Sequence, residues 1–181
     1  PARGSLGEEV EIQADTIAAR MAKRMGGTYR LLSVPDDLAP ETISRIADEP
    51  RVKKVLNLIK DARIVIHGIS TVREMIRRRR LTNHEIELLS ERHAVGEAFG
   101  DYFNRAGEVV YSAPSMGLRL EDLEGKEIIA VAGGEAKAEA IIAVLANRPR
   151  DALVTDEGAA KRILGLLKHQ EKGTEEGKVW Q

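Results

Sequence analysis

The chain predicts an α/β fold organised around a parallel sheet, and three observations carry that expectation. An apolar strand, Glu127–Ile128–Ile129–Ala130–Val131–Ala132, runs straight into Gly133–Gly134–Glu135–Ala136–Lys137 and then a helix-period stretch from Ala138 to Leu145. A second strand–helix unit follows at once, Ala152–Leu153–Val154–Thr155–Asp156–Glu157–Gly158 opening onto Ala159 to Leu167. The 181 residues are 43% hydrophobic, enough to bury the core of one domain. Consecutive strand–helix units build parallel sheets, and such sheets place ligands at the carboxyl ends of their strands.

The remaining elements follow in chain order. Glu8 to Met25 has helical periodicity through Val10, Ile12, Ile17, Ala18 and Met21, and Gly26–Gly27 reads as its C-terminal stop. Thr28 to Val34 predicts a strand closed by Pro35. Pro40–Ala47 and Pro50–Lys60 predict two short helices, each with proline in the first turn, where the missing N–H costs little. Ala62 to Ile66 predicts a short buried strand leading into His67–Gly68–Ile69. Helices are expected from Thr71 to Arg78 and from Asn83 to Glu91, the latter capped by Thr82. Phe99–Gly100–Asp101–Tyr102–Phe103 and Val109–Val110–Tyr111 suggest a hairpin on one edge, around Asn104–Arg105–Ala106–Gly107. After Lys168 the composition turns polar, which predicts a domain over residues 1–168 and a flexible tail over 169–181.

Composition removes several classes of function. The net charge of −1 supplies no global positive field toward nucleic acid or acidic lipid, and 3% aromatics cannot form a base-stacking platform. The absence of cysteine removes disulfides and thiolate chemistry and agrees with a cytoplasmic setting. No apolar run approaches the roughly 20 residues that span a bilayer. His67, His84, His93 and His169 show no metal-ligand spacing, and no cofactor is implied.

The residues able to do chemistry are few. Gly133 and Gly134 let the backbone approach a ligand, the helix start behind them offers N–H groups to an anion, and Lys137 adds a point charge suited to phosphate. Arg3 stands in a loop before the first helix, beside Gly4, and serves either that helix start or a ligand. Gln13, expected in the second turn of that helix, faces solvent or supplies a donor and acceptor to a sugar hydroxyl. Arg77–Arg78–Arg79–Arg80 reads first as a solvated helix end, then as a contact to nucleic-acid phosphates or a bidentate phosphate clamp. Glu97 lies in Ala94–Val95–Gly96–Glu97–Ala98–Phe99–Gly100, where an unpaired carboxylate among small and apolar neighbours is costly. It must bond backbone amides or accept hydroxyls. No Walker loop, Ser–His–Asp order or pair of carboxylates with divided acid and base roles is present.

Several segments together resemble a known family: Pro1–Ala2–Arg3–Gly4, Gln13–Ala14, Gly27–Thr28–Tyr29–Arg30–Leu31–Leu32, His67–Gly68–Ile69, Glu97–Ala98–Phe99–Gly100, Val131–Ala132–Gly133–Gly134 and Thr155–Asp156–Glu157–Gly158–Ala159–Ala160–Lys161. The chain resembles the effector-binding domain of SorC/DeoR-type bacterial transcription regulators, most closely the branch that controls central glycolytic genes. The resemblance covers Pro1 to about Leu167. It implies a Rossmann-like domain of the sugar-phosphate isomerase/CoA transferase type, truncated at its N-terminus and working as a sensor rather than an enzyme. It further implies a phosphorylated sugar such as fructose 1,6-bisphosphate as effector, held by Arg3, Gln13, Arg78, Arg79, Glu97 and Lys137 with backbone support from Gly4, Gly133 and Gly134. Operator DNA would be bound by a separate N-terminal winged-helix domain, and a dimer or tetramer is expected. Ser5 departs from the family's usual second glycine. The competing class is a sugar-phosphate isomerase or deaminase on the same fold, for which Glu97 is the only candidate base.

Overall fold

A computed structural model describes residues 13–32, 34, 38, 40–79 and 81–176. The chain divides into two compact units, Pro1–Arg63 with Ala113–Lys126 and Ile64–Ser112 with Glu127–Gln181.

The first unit contains three helices, α1 (Ala14–Arg24), α2 (Pro40–Ala47) and α3 (Pro50–Lys60), and a single 3-10 turn at Leu120–Leu123 among the described residues. Gln13 precedes α1 as its N-cap in extended conformation (φ −71°, ψ 146°). It therefore stands before the helix, not in its second turn, because an extended ψ interrupts the i to i−4 ladder. The helix ends as its two glycines predict: Gly26 N–H donates to the Lys23 carbonyl (3.4 Å) and Gly27 N–H to that of Ala22 (2.8 Å). The strand expected from Thr28 to Val34 is absent at its described residues, 28–32 and 34. Thr28, Tyr29, Arg30 and Leu31 are all exposed and only Leu32 of residues 28–32 is buried, so this stretch shows no alternating buried face. Helices α2 and α3 match their expected limits and pack on each other. Lys126 ties the carbonyl ends of this region down, donating to Lys60 and Ala62.

The second unit holds two sheets. Strands β1 (Ile64–Gly68), β6 (Glu127–Val131) and β7 (Ala152–Val154) form a parallel sheet in the order β1-β6-β7. Its register pairs Ile66 with Ile129 and Ile129 with Ala152, so all three carboxyl ends share one edge. One face buries Val65, Ile128 and Ala130, while Ile64, Ile66, Val131 and Val154 stay exposed on the other. Strands β2 (Ser70–Thr71), β3 (Ala94–Ala98), β4 (Asp101–Asn104) and β5 (Val109–Ser112) form a separate antiparallel sheet in sequence order. The expected hairpin is therefore real as β4–β5, but it belongs to this second sheet rather than to an edge of the parallel one.

Four helices complete the unit: α4 (Val72–Arg79), α5 (Asn83–Glu91), α6 (Ala138–Asn147) and α7 (Glu157–Glu176). Thr82 caps α5 through a reciprocal pair, its hydroxyl accepting from Glu85 N–H while the Glu85 carboxylate accepts from Thr82 N–H. Helix α6 packs on β3, β4 and α7, and its small residues Ala138, Ala140 and Ala143 are buried. Helix α7 runs on to Glu176, past the Lys168 boundary suggested by composition. Glu, Gln and Lys are good helix formers, and polarity alone does not end a helix.

Candidate functional site

The second unit contains four of the expected positions: Arg79, Glu97, Lys137 and the Gly133–Gly134 turn. Each is positioned by a different local device.

Glu97 is carried inward by β3. It lies level with Ser70 of β2 and Tyr102 of β4, and only 7% of it is exposed. A two-residue turn, Phe99–Gly100, follows with positive φ at both residues (58° and 90°), the geometry that suits a tight antiparallel hairpin. The turn aims Gly100 N–H at Glu97 Oε1 at 2.8 Å. Arg79, in the last turn of α4, sets its Nη2 3.4 Å from the same oxygen. Burial pushes the Glu97 carboxyl above the usual carboxylate range; Arg79 and the Gly100 amide pull back, and nearby Asp101 pushes the same way as burial. The costly carboxylate foreseen in the sequence is thus paired as physics requires.

The four-arginine run does not act as one surface. Arg77 and Arg78 are exposed, Arg79 turns in to Glu97, and Arg80 lies outside the described residues. Successive helical residues are rotated by about 100°, so a run of four cannot share one direction.

Lys137 sits on a 3-10 turn between the two glycines and α6. Its ammonium donates to the Ile69 carbonyl just beyond β1 (2.9 Å) and lies 3.4 Å from Glu74 Oε2. Glu74 also accepts from Thr71 N–H (2.8 Å) and the Thr71 hydroxyl (3.3 Å), while its own N–H donates back to Thr71 Oγ1 (3.2 Å). Thr71 and Glu74 thus form a capping box at the start of α4. Burial would raise the Glu74 carboxyl, but the Thr71 amide and Lys137 outweigh it and hold it below the usual range.

The glycine turn serves a neighbour. Gly134 adopts φ +96°, and its N–H donates to Asp156 Oδ2 at 2.5 Å. A Cβ on Gly133 would meet the same oxygen at 2.5 Å. The other carboxylate oxygen caps α7 by accepting from Ala159 N–H (2.8 Å). Asp156 therefore takes one of the amides that the sequence reading offered to an anion.

His67, at the carboxyl end of β1, is a packed neutral imidazole. Its Nδ1–H donates to the Gly68 carbonyl (3.0 Å), its Nε2 accepts from Arg150 Nε (3.2 Å), and its ring lies 4.4 Å from that of Phe99. Burial pushes its pKa down to about 4, with the Gly68 bond opposing and Arg150 adding to the fall.

Arg3 and Gly4 lie outside the described residues. Gln13 belongs to the first unit, and Arg78 stays exposed on α4. Sequence reasoning missed Glu74, Thr71 and Asp156. Thr71–Val72–Arg73–Glu74 carried a readable capping-box signal, whereas the reach of Lys137 to Glu74 had none. Among the described residues no cluster of His, Asp and Glu could hold a metal ion, and no helix is long and apolar enough to cross a membrane.

Three comparisons with known proteins show what the chain is similar to. The family described as "Putative sugar-binding domain" matches residues 1–165, across both units, and the chain belongs to that family. It is 50% identical over 165 residues to the Central glycolytic genes regulator of Bacillus subtilis (strain 168) and 48% identical to that of Priestia megaterium. Each alignment covers 91% of this chain and 48% of the relative, so the chain spans about half the length of the curated relatives it matches. A crystal structure described as that of "the putative SorC family transcriptional regulator from Enterococcus faecalis" aligns with a TM-score of 0.80 at 43% identity, over 91% of this chain and 67% of the other.

Proposed function

We propose that the chain is the effector-sensing domain of a bacterial transcription regulator of carbohydrate genes, and that its effector is a phosphorylated sugar of the fructose 1,6-bisphosphate kind. The observation that carries this reading is the pairing on α4: Arg79 at its end holds the buried Glu97, and Glu74 at its start holds Lys137. Glu74 and Arg79 stand five residues apart on α4, about 7–8 Å in helix rise, and a cation held at each end of one helix, with a buried carboxylate at one of them, suits a sugar bearing phosphate. In this reading Arg79 and Lys137 meet phosphate oxygens and Glu97 accepts sugar hydroxyls. Exposed Arg78 adds a second guanidinium. On the family resemblance, Arg3, Gln13 and the Gly4 backbone are also read as effector contacts.

The relatives at 48–50% identity are regulators of central glycolytic genes by name, the solved structure at 43% is a SorC family transcriptional regulator by description, and this chain is read as a sensor with them. The enzyme alternative needs Glu97 as a base, and its carboxylate is already engaged by the Arg79 guanidinium and the Gly100 amide. Binding would alter operator affinity or assembly in a dimeric or tetrameric cytoplasmic regulator whose DNA-binding domain is a separate segment.

Calorimetry on the 181-residue chain tests the effector. Fructose 1,6-bisphosphate should bind well above fructose 6-phosphate, and both above fructose. Equal affinity for the neutral sugar would sink the reading. Detectable turnover of any of these by NMR would favour the isomerase alternative instead.

A further inference from the structure

We infer that Glu74 is a built-in counter-anion, occupying the Lys137 ammonium and so setting the affinity at which a phosphorylated effector can bind. This rests on the reading above and adds a residue to it.

One carboxylate oxygen, Glu74 Oε2, receives Thr71 N–H at 2.8 Å and the Thr71 hydroxyl at 3.3 Å, and lies 3.4 Å from Lys137 Nζ. A backbone amide, a hydroxyl and an ammonium converging on one oxygen are the donors that a phosphate oxygen would otherwise recruit. The ammonium has three donors. One is spent on the Ile69 carbonyl at 2.9 Å, and another faces Glu74. An anion reaching Lys137 must displace the Glu74 contact or sit beside a fixed negative charge. Either way, Lys137 is available for only part of the time, and apparent affinity falls by that fraction. For a sensor that is useful, since the threshold moves up without altering the residues that recognise the sugar.

Glu74 differs in this from Glu97. Both are paired with cations, but Glu97 is 7% exposed and bound to the Gly100 amide within β3 and its turn, whereas the Glu74 side chain is 31% exposed. A partly exposed carboxylate can swing aside at small cost. Its capping duty does not require charge either, because glutamine serves at the third position of a capping box as well as glutamate does.

Glu74→Gln therefore separates the two roles. In the 181-residue chain titrated with fructose 1,6-bisphosphate, Glu74→Gln should bind about three- to tenfold more tightly than the parent, the range expected from removing one charge at close quarters. Its melting temperature should stay near the parent's. In a Lys137→Ala background the same substitution should give little gain, since the competition has lost its object. Unchanged or weaker binding by Glu74→Gln would overturn the inference and leave Glu74 a helix cap. If the parent binds no fructose 1,6-bisphosphate, the effector reading itself fails. Inorganic phosphate then decides the point by NMR at the Lys137 side-chain resonances. Glu74→Gln should respond at lower phosphate than the parent, and coincident titrations would overturn the inference.

Discussion

Lys137 and Arg79 hold their places through partners that the folded chain supplies, so replacing them has consequences beyond any ligand. Lys137→Ala would leave the Ile69 carbonyl and the Glu74 carboxylate without their ammonium. It should cost about 1.5 kcal/mol of stability, the low end of the range for a charged hydrogen bond because both groups are partly exposed, and weaken phosphate binding as well; denaturant titration and calorimetry read the two effects separately. A lysine in place of Arg79 keeps the charge but loses the planar fork, so Arg79→Lys should weaken effector binding several-fold. Arg78→Lys should weaken it less, because Arg78 stays exposed. Equal losses at the two positions would show that the helix presents both alike. His67 brings a pH dependence. Its pKa lies near 4 in the fold against 6.5 in the open chain, so between those values the unfolded state takes up a proton that the fold refuses. Stability is fully present above about pH 6.5 and falls as pH drops toward 4, by no more than about 3 kcal/mol from this residue. His67→Asn keeps a donor for the Gly68 carbonyl and should flatten the pH profile of chemical denaturation in that window.

At the scale of elements, the contact between β3 and α6 positions the carboxylate. A Cβ built on Gly96 would come within 2.9 Å of the Cα and Cβ of Ala140. That glycine lets the strand lie directly on the helix, one residue before Glu97. Gly96→Ala must push the strand off α6 and should destabilise the chain by about 1–3 kcal/mol, the cost of overpacking a close contact. Effector affinity should fall with it, because Glu97 and the Gly100 amide move with the strand. A melting curve matching the parent's would show that the contact can yield. Much of this level was legible beforehand. Helices α2, α3 and α5 match their expected limits, because proline at the first turn and the Thr82 cap act over a few neighbouring residues. The strand expected at Thr28 to Val34 failed for the opposite reason. A strand needs a partner, and alternation in a short apolar run says nothing about whether one will arrive.

For the whole molecule, the balance of charge argues against direct nucleic-acid binding by this chain. Net charge is −1, and the arginine run is split between an inward ion pair and an exposed helix end. Binding that depends on counterion release needs several cations on one face. A gel shift with operator-length duplex at physiological salt should show no sequence-specific retention. Retention by this chain would overturn the reading that assigns DNA binding to a separate segment.

The sequence by itself determined the parallel α/β class, the strand–Gly133–Gly134–helix unit, the capped and proline-started helices, and the need to pair a carboxylate at Glu97. These rest on periodicity, turn chemistry and desolvation, which act locally and leave a mark in the order of residues. Only the tertiary structure decided that Arg79 of the four arginines reaches Glu97, that Lys137 is held by Glu74, and that Asp156 claims the Gly134 amide. It also separated the antiparallel sheet from the parallel one. Arg79 and Glu97 are 18 residues apart in the chain, Gly134 and Asp156 are 22 apart, and Lys137 lies 68 from Ile69, whose carbonyl it also holds. Their meeting depends on helix rotation and strand register, which no local pattern encodes.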